Sequence, residues 1–435
     1  MIGLLLVILG AIFGMFLGVP VAYCFALAAF FLCGIYDIGI TGAISASFTR
    51  LNAFSFMALP LFIVLGSLMN QSGLARRLID FVAILVGNKK GGLGVVLILT
   101  NTIFGAICGV ASSALAAIGG MMIPEMEKKG YPRGYSTGMA ISSSVLSLLI
   151  PPSTSMIIFG IAAKISIPLL FMATIIPGLI LTILLCIMNN VMVRKIPTIQ
   201  DLPEISRLER KREISKTGKR AVFVLFLPIL IFIGIYGGMF TPTEAAAVAV
   251  IYALIIGLFV YRELNLNILW NSLVDAGKMT GSVFLVFFFF LLLSRILVLN
   301  NIPNLLVNFL FSISTNRNIL LLMLNIILLF TGMLMDDASG LILAAIIYLP
   351  AAQVIGIHPI HFGAICGVNL GMGLITPPVA PLLYLGGTVG GNLELKDYYK
   401  VPMCSLLFAY LPVVLLTTYV PALSMTIPKF FMKIR

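Results

Sequence analysis

Long apolar runs recur from one end of the 435-residue chain to the other, and they constrain its fold more than any other feature. A run of about 18 or more predominantly apolar residues can cross a bilayer as a helix. The long runs are Leu4–Leu32, Leu169–Val193 and Ala221–Phe240. The shorter ones, which could cross or form hairpins, include Leu93–Cys108, Ala245–Tyr261, Val283–Leu293 and Ile319–Met335. We therefore predict an all-α polytopic membrane protein with about ten to twelve membrane-embedded segments.

The basic residues of the chain act as topology signals. Only 10% of the residues are charged, whereas soluble domains carry about 25%. A net charge of +12 would suggest nucleic acid in a soluble chain, but here the Lys and Arg side chains lie in short connectors. We expect the bilayer and no nucleic acid as partner, with the basic segment 194–220 on the cytoplasmic side. Because Met1–Val19 has no basic n-region, we expect the first helix to remain uncleaved.

An internal repeat spans about fifty residues without a gap. Ser113 matches Ser339, 226 residues later, and five further markers keep this offset. These are Pro124, Gly130, Pro151, Pro152 and Gly160, which match Pro350, Gly356, Pro377, Pro378 and Gly386. Tandem prolines are rare in apolar sequence, so finding them twice in register indicates duplication.

The two copies differ in charge in a way that predicts opposite orientation. The connector Pro124–Tyr135 holds two lysines and one arginine, whereas its counterpart Pro350–His361 holds none. Under the positive-inside rule the copies then face opposite sides of the membrane, as in the inverted-topology repeats of many secondary transporters. We predict an N-terminal half (1–193), a cytoplasmic linker (194–220) and a C-terminal half (221–435).

Each copy contains two short irregular stretches, predicted to be helix breaks or re-entrant hairpins. They lie near 105–113 and 148–154 in the first copy and near 331–340 and 371–378 in the second. Proline removes a donor for the carbonyl four residues earlier, which should free the carbonyls of Ser147, Leu148, Gly373 and Leu374. At membrane depth such groups must face protein, water or an ion.

Two adjacent carboxylates lie in the second copy, inside the apolar stretch that follows Ile319. An ionisable residue there is costly and suggests a functional site, so we expect one of Asp336 and Asp337 to ligate and the other to cap a helix or face water. A loop at the membrane edge is the alternative. Hydroxyls, freed carbonyls and the C-termini of half-helices are oxygen ligands that suit Na⁺, while the N-termini of half-helices suit a substrate carboxylate. The Ser and Thr hydroxyls of the irregular stretches could instead bond back to helix carbonyls.

These motifs resemble those of a known family. The run Gly-Val-Ala-Ser-Ser-Ala-Leu-Ala-Ala-Ile-Gly from Gly109, the Pro-Pro-Ser stretch from Pro151 and Phe-Thr-Pro-Thr-Glu-Ala-Ala-Ala from Phe240 are similar to the large membrane subunit of tripartite ATP-independent periplasmic (TRAP) transporters. The similarity extends from about Leu4 to Leu423.

The resemblance implies an elevator-type transporter of the bacterial inner membrane, with a scaffold and a moving domain built from the two repeats. It implies a separate small four-helix membrane subunit and a periplasmic substrate-binding protein as partners. Import would be driven by Na⁺, and the substrate would be a small organic acid such as a C4-dicarboxylate, a sialic acid or another sugar acid.

The resemblance also implies at least two Na⁺ sites, where the irregular stretches of each repeat meet. One would use Ser112, Ser113 and the turn Ile150–Ser153, which includes Pro151. The other would use Gly332, Asp336, Asp337 and Thr376. We expect the substrate carboxylate near Ser113, Ser153 and Thr376.

Other functions fit the sequence less well. A self-sufficient sodium:carboxylate symporter of similar design is the nearest alternative. An aspartyl intramembrane protease needs carboxylates on separate helices, whereas Asp336 and Asp337 are neighbours. A channel is disfavoured because discontinuous helices in both halves suit alternating access. The chain has no P-loop motif, which argues against an ATP-driven pump, and we predict no enzymatic activity.

Overall fold

The computed structural model describes residues 2–87, 90–199 and 207–434, and every regular element in these ranges is helical. The helices before the basic linker are α1 (Ile2–Phe16), α2 (Val21–Ile35), α3 (Ile40–Leu51), α4 (Ala58–Gln71), α5 (Leu74–Val86), α6 (Gly92–Cys108), α7 (Ala111–Ala114), α8 (Gly120–Lys128), α9 (Arg133–Ser144), α10 (Leu146–Leu149), α11 (Thr154–Ala163) and α12 (Ile167–Arg194). Those after it are α13 (Arg207–Tyr236), α14 (Pro242–Ile255), α15 (Leu266–Leu299), α16 (Ile302–Ile313), α17 (Arg317–Leu334), α18 (Asp337–Leu343), α19 (Leu349–Val354), α20 (Pro359–Gly373), α21 (Pro381–Val389), α22 (Leu395–Tyr398), α23 (Lys400–Ser405), α24 (Leu411–Tyr419) and α25 (Ala422–Ile434).

The predicted all-α membrane fold is confirmed. Eight helices in the described part of the chain are long and apolar enough to cross a bilayer. A ninth span results if the segments Arg133–Leu149 and Thr154–Ala163, which are bent by 44° at the first proline pair, are counted together. Several further apolar helices, among them α2 and α6, are shorter.

The first apolar run, Leu4–Leu32, is not a single span. Helix α1 ends at Phe16, α2 begins at Val21, and the two helices pack against each other. Gly18 adopts a φ of +83°, and Pro20, which has no N–H to continue a helix, directly precedes α2. The run therefore folds as a helical hairpin.

The basic linker is partly helical. Helix α12 ends at Arg194, and α13 begins at Arg207 and continues to Tyr236 without a break at Gly218. Residues 200–206 of the predicted linker lie outside the described residues. The basic part of α13 therefore continues directly into its apolar part.

The two repeat copies have matching helices that pack in matching ways. Helix α6 packs on α9 in the first copy, and α17 packs on α20 in the second. Both proline pairs, Pro151-Pro152 and Pro377-Pro378, have cis peptide bonds, and Gly130 and Gly356 have φ values of +85° and +84°. Helices α10 and α12 of the first copy also contact α20 of the second, which joins the copies into one core.

A group of helices lies beside the repeats and is called the wall below: α2, α3, α4, α5, α13, α14 and α15. Helices α2, α3 and α4 all pack on α15, and α14 packs on α4 while α13 packs on α5. Contacts of α4 with α11 and of α15 with α18 join this wall to the broken helices of both copies. The wall and the breaks therefore enclose a common space.

Candidate functional site

A cavity of about 650 Å³ lies between the broken helices of both copies and three helices of the wall, α2, α4 and α15. Most of the residues that line it are apolar. The polar ones are Tyr23, Ser112, Thr154, Ser282, Asp336 and Asp337. Among the described residues that line the cavity there is no Lys or Arg, so its side chains provide carboxylates and hydroxyls but no fixed positive charge.

Four helices begin at the cavity. Its lining includes Ser112 in the first turn of α7 and Thr154, Asp337 and Pro381, which are the first residues of α11, α18 and α21. Helices α7 and α18 continue through π-helical turns into α8 and α19. The first N–H groups of a helix lack partners inside the helix and carry partial positive charge. The positive ends of helices from both copies therefore converge on one space.

The two irregular stretches of the first copy meet at Gly109. The backbone N–H and the hydroxyl of Thr154 both donate to the carbonyl of Gly109, over 3.2 and 2.7 Å. Gly109 has a φ of +64°, and a Cβ there would lie 2.2 Å from the carbonyl oxygen of Pro152. Only glycine permits this close approach, which brings the proline turn beside the start of α7.

The second copy has a similar crossing at Gly332. A Cβ on Gly373 would lie 2.5 Å from the Cα of Gly332, so the backbones of α17 and α20 touch there. The N–H groups of Val379 and Ala380 donate to the carbonyl of Met333, over 3.3 and 3.1 Å. In both copies, therefore, the proline stretch is hydrogen-bonded to the preceding irregular stretch.

Two of the four carbonyls predicted to be freed have partners in the protein. The hydroxyl of Ser153 donates to the carbonyl of Leu148 over 2.5 Å and accepts from the N–H of Met156, which caps α11. The N–H of Thr376 donates to the carbonyl of Gly373 over 2.9 Å. The Thr376 hydroxyl bonds back to the carbonyl of Met372, the arrangement weighed above for such hydroxyls.

The adjacent aspartates have different partners. Asp336 directly precedes α18 and accepts a hydrogen bond from the hydroxyl of Ser339, in the first turn of that helix. Asp337 accepts from the hydroxyl of Ser155, over 2.8 Å between Oγ and Oδ2. Since Ser155 lies in α11, this bond links the second copy to the first.

The structure brings some predicted site residues to the cavity and leaves others behind it. Ser112, Asp336 and Asp337 line it, and the half-buried Ser113 lies against Gly66 of α4. The remaining predicted residues are buried and are not among the described residues that line the cavity: Ile150, Pro151, Ser153, Gly332 and Thr376.

Sequence reasoning missed Ser155 and the wall residues Tyr23 and Ser282. Ser155 follows Pro-Pro-Ser-Thr, so its hydroxyl was visible in the motif, but its partner was not. The wall residues carry no marker that separates them from other residues of apolar helices.

The comparisons with known proteins agree with this fold. Residues 8–423 match the family model "Tripartite ATP-independent periplasmic transporter, DctM component". The chain is 34% identical to the C4-dicarboxylate TRAP transporter large permease protein DctM of Pseudomonas aeruginosa, over 86% of each protein. It is 33% identical to the sialic acid TRAP transporter large permease protein SiaM of Vibrio cholerae, over 97% of this chain and 96% of that protein.

A solved structure shares the fold at low sequence identity. The YdaH transporter of Alcanivorax borkumensis aligns with a TM-score of 0.56 over 90% of this chain and 89% of that chain, at 14% identity. The solved structure shows the fold alone, whereas the family model and the relatives match most of the chain and identify its family. The chain belongs to the DctM family, the large permease components of tripartite ATP-independent periplasmic transporters, and is a transport protein rather than an enzyme.

Proposed function

We propose that this permease imports a small organic acid together with Na⁺, using the cavity at the broken helices. The observation that carries the proposal is the charge of the cavity. Asp336 and Asp337 are the only charged side chains among the described residues that line it. An organic anion entering alone would meet two carboxylates in a place of low dielectric, where like charges repel strongly. Cations bound beside the carboxylates would remove this repulsion, which makes anion binding depend on them.

The substrate carboxylate would be held by helix N-termini and hydroxyls. Four helices begin at the cavity, and helix dipoles favour anions at such termini. The start of α7, which has no side-chain cap, also offers N–H groups without helical partners. Ser112 and Thr154 add hydroxyls at the same place. We propose that Ser113, Ser153 and Thr376 stabilise the backbone next to the cavity rather than contact the substrate. Ser153 caps α11, and the hydroxyl of Thr376 bonds to the carbonyl of Met372.

Two Na⁺ sites would lie where the irregular stretches cross. In the first copy the oxygens would come from Ser112, Ser113 and the turn Ile150–Ser153, which includes Pro151. In the second they would come from Gly332, Asp336, Asp337 and Thr376. Carbonyl, hydroxyl and carboxylate oxygens are the ligands that hard cations prefer. The bond between Ser155 and Asp337 would make the two sites sensitive to each other.

Transport would follow an elevator mechanism in which the two copies move as one body past the wall of α2, α4 and α15. The division into halves 1–193 and 221–435, with opposite orientations in the inner membrane, rests on the charge difference between the connectors Pro124–Tyr135 and Pro350–His361. On the same basis we propose that the linker 194–220 lies in the cytoplasm. The contacts of α10 and α12 with α20 support a joint movement of the copies.

Two partner proteins complete the proposed transporter. The family description names a tripartite, periplasmic system. We propose that the other components are a small four-helix membrane subunit and a soluble periplasmic protein that delivers the substrate. The substrate would be a C4-dicarboxylate, a sialic acid or another sugar acid, since relatives are named for acids of both kinds.

Reconstituted uptake tests the proposal. The permease, with its small subunit and binding protein, is placed in proteoliposomes and offered a panel of radiolabelled organic acids with an inward Na⁺ or K⁺ gradient. We expect uptake of at least one acid that requires both Na⁺ and the binding protein. Uptake that needs the binding protein but follows a proton gradient would contradict sodium coupling. Sodium-driven uptake without the binding protein would instead identify a self-sufficient symporter.

A further inference from the structure

A second cavity, of about 670 Å³, lies where α5 packs on α13, and it shares no residue with the site described above. Its lining is charged and aromatic rather than apolar. The residues that line it are Arg76, Arg77, Asp80, Arg220, Tyr261 and Glu263. Three guanidinium groups thus face two carboxylates, which leaves the cavity with a net positive charge.

One of the three arginines is fixed in place by the protein. Arg77 forms a 2.7 Å ion pair with Glu263, stacks 3.8 Å above the ring of Tyr261 and donates to the carbonyl of Gly73. Gly73 has a φ of +69°, and a Cβ there would lie 1.6 Å from a carboxylate oxygen of Glu263. A side chain at position 73 would displace the ion pair, so the geometry on this side of the cavity depends on the glycine.

The other two arginines have no such partner. Within the described part of the chain, the guanidinium groups of Arg76 and Arg220 lie within 4 Å of no carboxylate oxygen. The single carboxylate of Asp80, which interacts electrostatically with all three arginines, offsets only part of their charge. Both line the same cavity. Guanidinium groups bind phosphate oxygens in pairs of parallel hydrogen bonds, so two unpaired ones suit a phosphate group.

The cavity lies at the boundary between polar and apolar sequence. Arg220 is the last basic residue before the apolar part of α13, in which Phe223 and Phe226 are 37% and 46% exposed. The hydroxyl of Tyr261 donates to the carbonyl of Arg220 over 2.6 Å, and its ring meets that of Phe223 edge to face. An aromatic ring with a polar tip is typical of the membrane interface. A ligand phosphate here would have exposed apolar side chains directly beside it.

We propose that this cavity binds the phosphodiester headgroup of an anionic phospholipid. Its phosphate would lie between Arg76 and Arg220, and its acyl chains would run along Phe223 and Phe226. Basic pockets between helices at the cytoplasmic surface bind the headgroups of anionic lipids. The apolar surface beside the arginines favours a lipid over a soluble anion. The bound lipid would anchor α5 and α13, which belong to the wall rather than to the repeats.

Native mass spectrometry of the delipidated full-length permease tests the proposal. The protein is titrated with phosphatidylglycerol and with phosphatidylcholine of the same acyl chains. We expect the wild type to bind phosphatidylglycerol more tightly than phosphatidylcholine. The double variant R76Q/R220Q should bind phosphatidylglycerol about 30-fold more weakly than the wild type, because both basic contacts to the phosphate are lost. The variant R76K/R220K keeps both charges and should retain most of the preference.

The control variant K128Q/K129Q removes the same charge from another basic connector whose side chains are exposed. It should bind phosphatidylglycerol like the wild type. Equal affinity in the wild type and R76Q/R220Q, or an equal loss in K128Q/K129Q, would overturn the proposal. Displacement of the lipid by millimolar inorganic phosphate would assign the cavity to a soluble anion and also overturn it.

Discussion

The hydroxyl of Ser155 donates a 2.8 Å hydrogen bond to Asp337, and the two residues belong to different copies of the repeat. Ser155 lies in the first turn of α11, just after the proline pair of the first copy, and Asp337 is the first residue of α18. A cation that binds Asp337 would therefore act on a bond that also positions α11. This contact connects the segments that would form the two proposed Na⁺ sites.

We predict that Ser155→Ala weakens sodium dependence without abolishing transport. Partners that orient a ligating group typically contribute 10- to 100-fold to metal affinity, so the half-saturating Na⁺ concentration for uptake should rise about 10-fold or more. Ser155→Thr keeps the hydroxyl and should stay close to the wild type. An unchanged Na⁺ dependence in Ser155→Ala would exclude Ser155 as a positioning residue.

Asp337→Asn should abolish sodium-dependent uptake in proteoliposomes. The amide keeps the shape of the side chain but removes the charge that would hold the cation, while assembly should remain intact on size exclusion. Asp397→Asn makes the same change at an exposed position of α22 and should transport normally. Normal uptake by Asp337→Asn would remove Asp337 from the site.

Gly109→Ala should destabilise the permease. Alanine would adopt an unfavourable positive φ, and its Cβ would overlap the carbonyl of Pro152. We expect a loss of about 1–3 kcal/mol, read as a lower apparent melting temperature in detergent. Gly120→Ala, at an exposed helical position where a Cβ meets nothing within 4 Å, is the control and should be neutral or slightly stabilising. Equal melting temperatures for the two variants would show that the crossing at Gly109 tolerates a side chain.

Single cysteines should report opposite orientation of the two connectors. Lys129→Cys and Gln353→Cys lie at exposed positions in corresponding parts of the repeats. A membrane-impermeant thiol reagent should label Gln353→Cys from outside spheroplasts and Lys129→Cys only in inside-out vesicles. The parent chain is the control, because its six native cysteines are buried or half-buried. Labelling of both positions from the same side would contradict the inverted repeat.

The positions of the helix breaks could be predicted from sequence because they depend on local backbone rules. A proline pair removes two backbone donors and clashes with the preceding turn, so the breaks at Pro151 and Pro377 follow from residue type alone. The hairpin within Leu4–Leu32 was missed because run length ignores the turn at Gly18 and Pro20.

Side-chain partners could not be predicted in the same way. The bond between Ser155 and Asp337 depends on how α11 and α18 cross, which no local pattern encodes. The wall residue Tyr23 reaches the cavity for the same reason: its position follows from the packing of α2 on α15. The repeat predicted where the helix breaks lie, and tertiary packing determined which side chains line the cavity between them.

Direct binding of radioactive ²²Na⁺ to the purified permease tests the central claim that the broken helices hold a coupling cation. The account predicts saturable binding that unlabelled Na⁺ displaces and K⁺ does not, and that is lost in Asp337→Asn. No saturable binding by the wild type, or equal binding by Asp337→Asn, would contradict it.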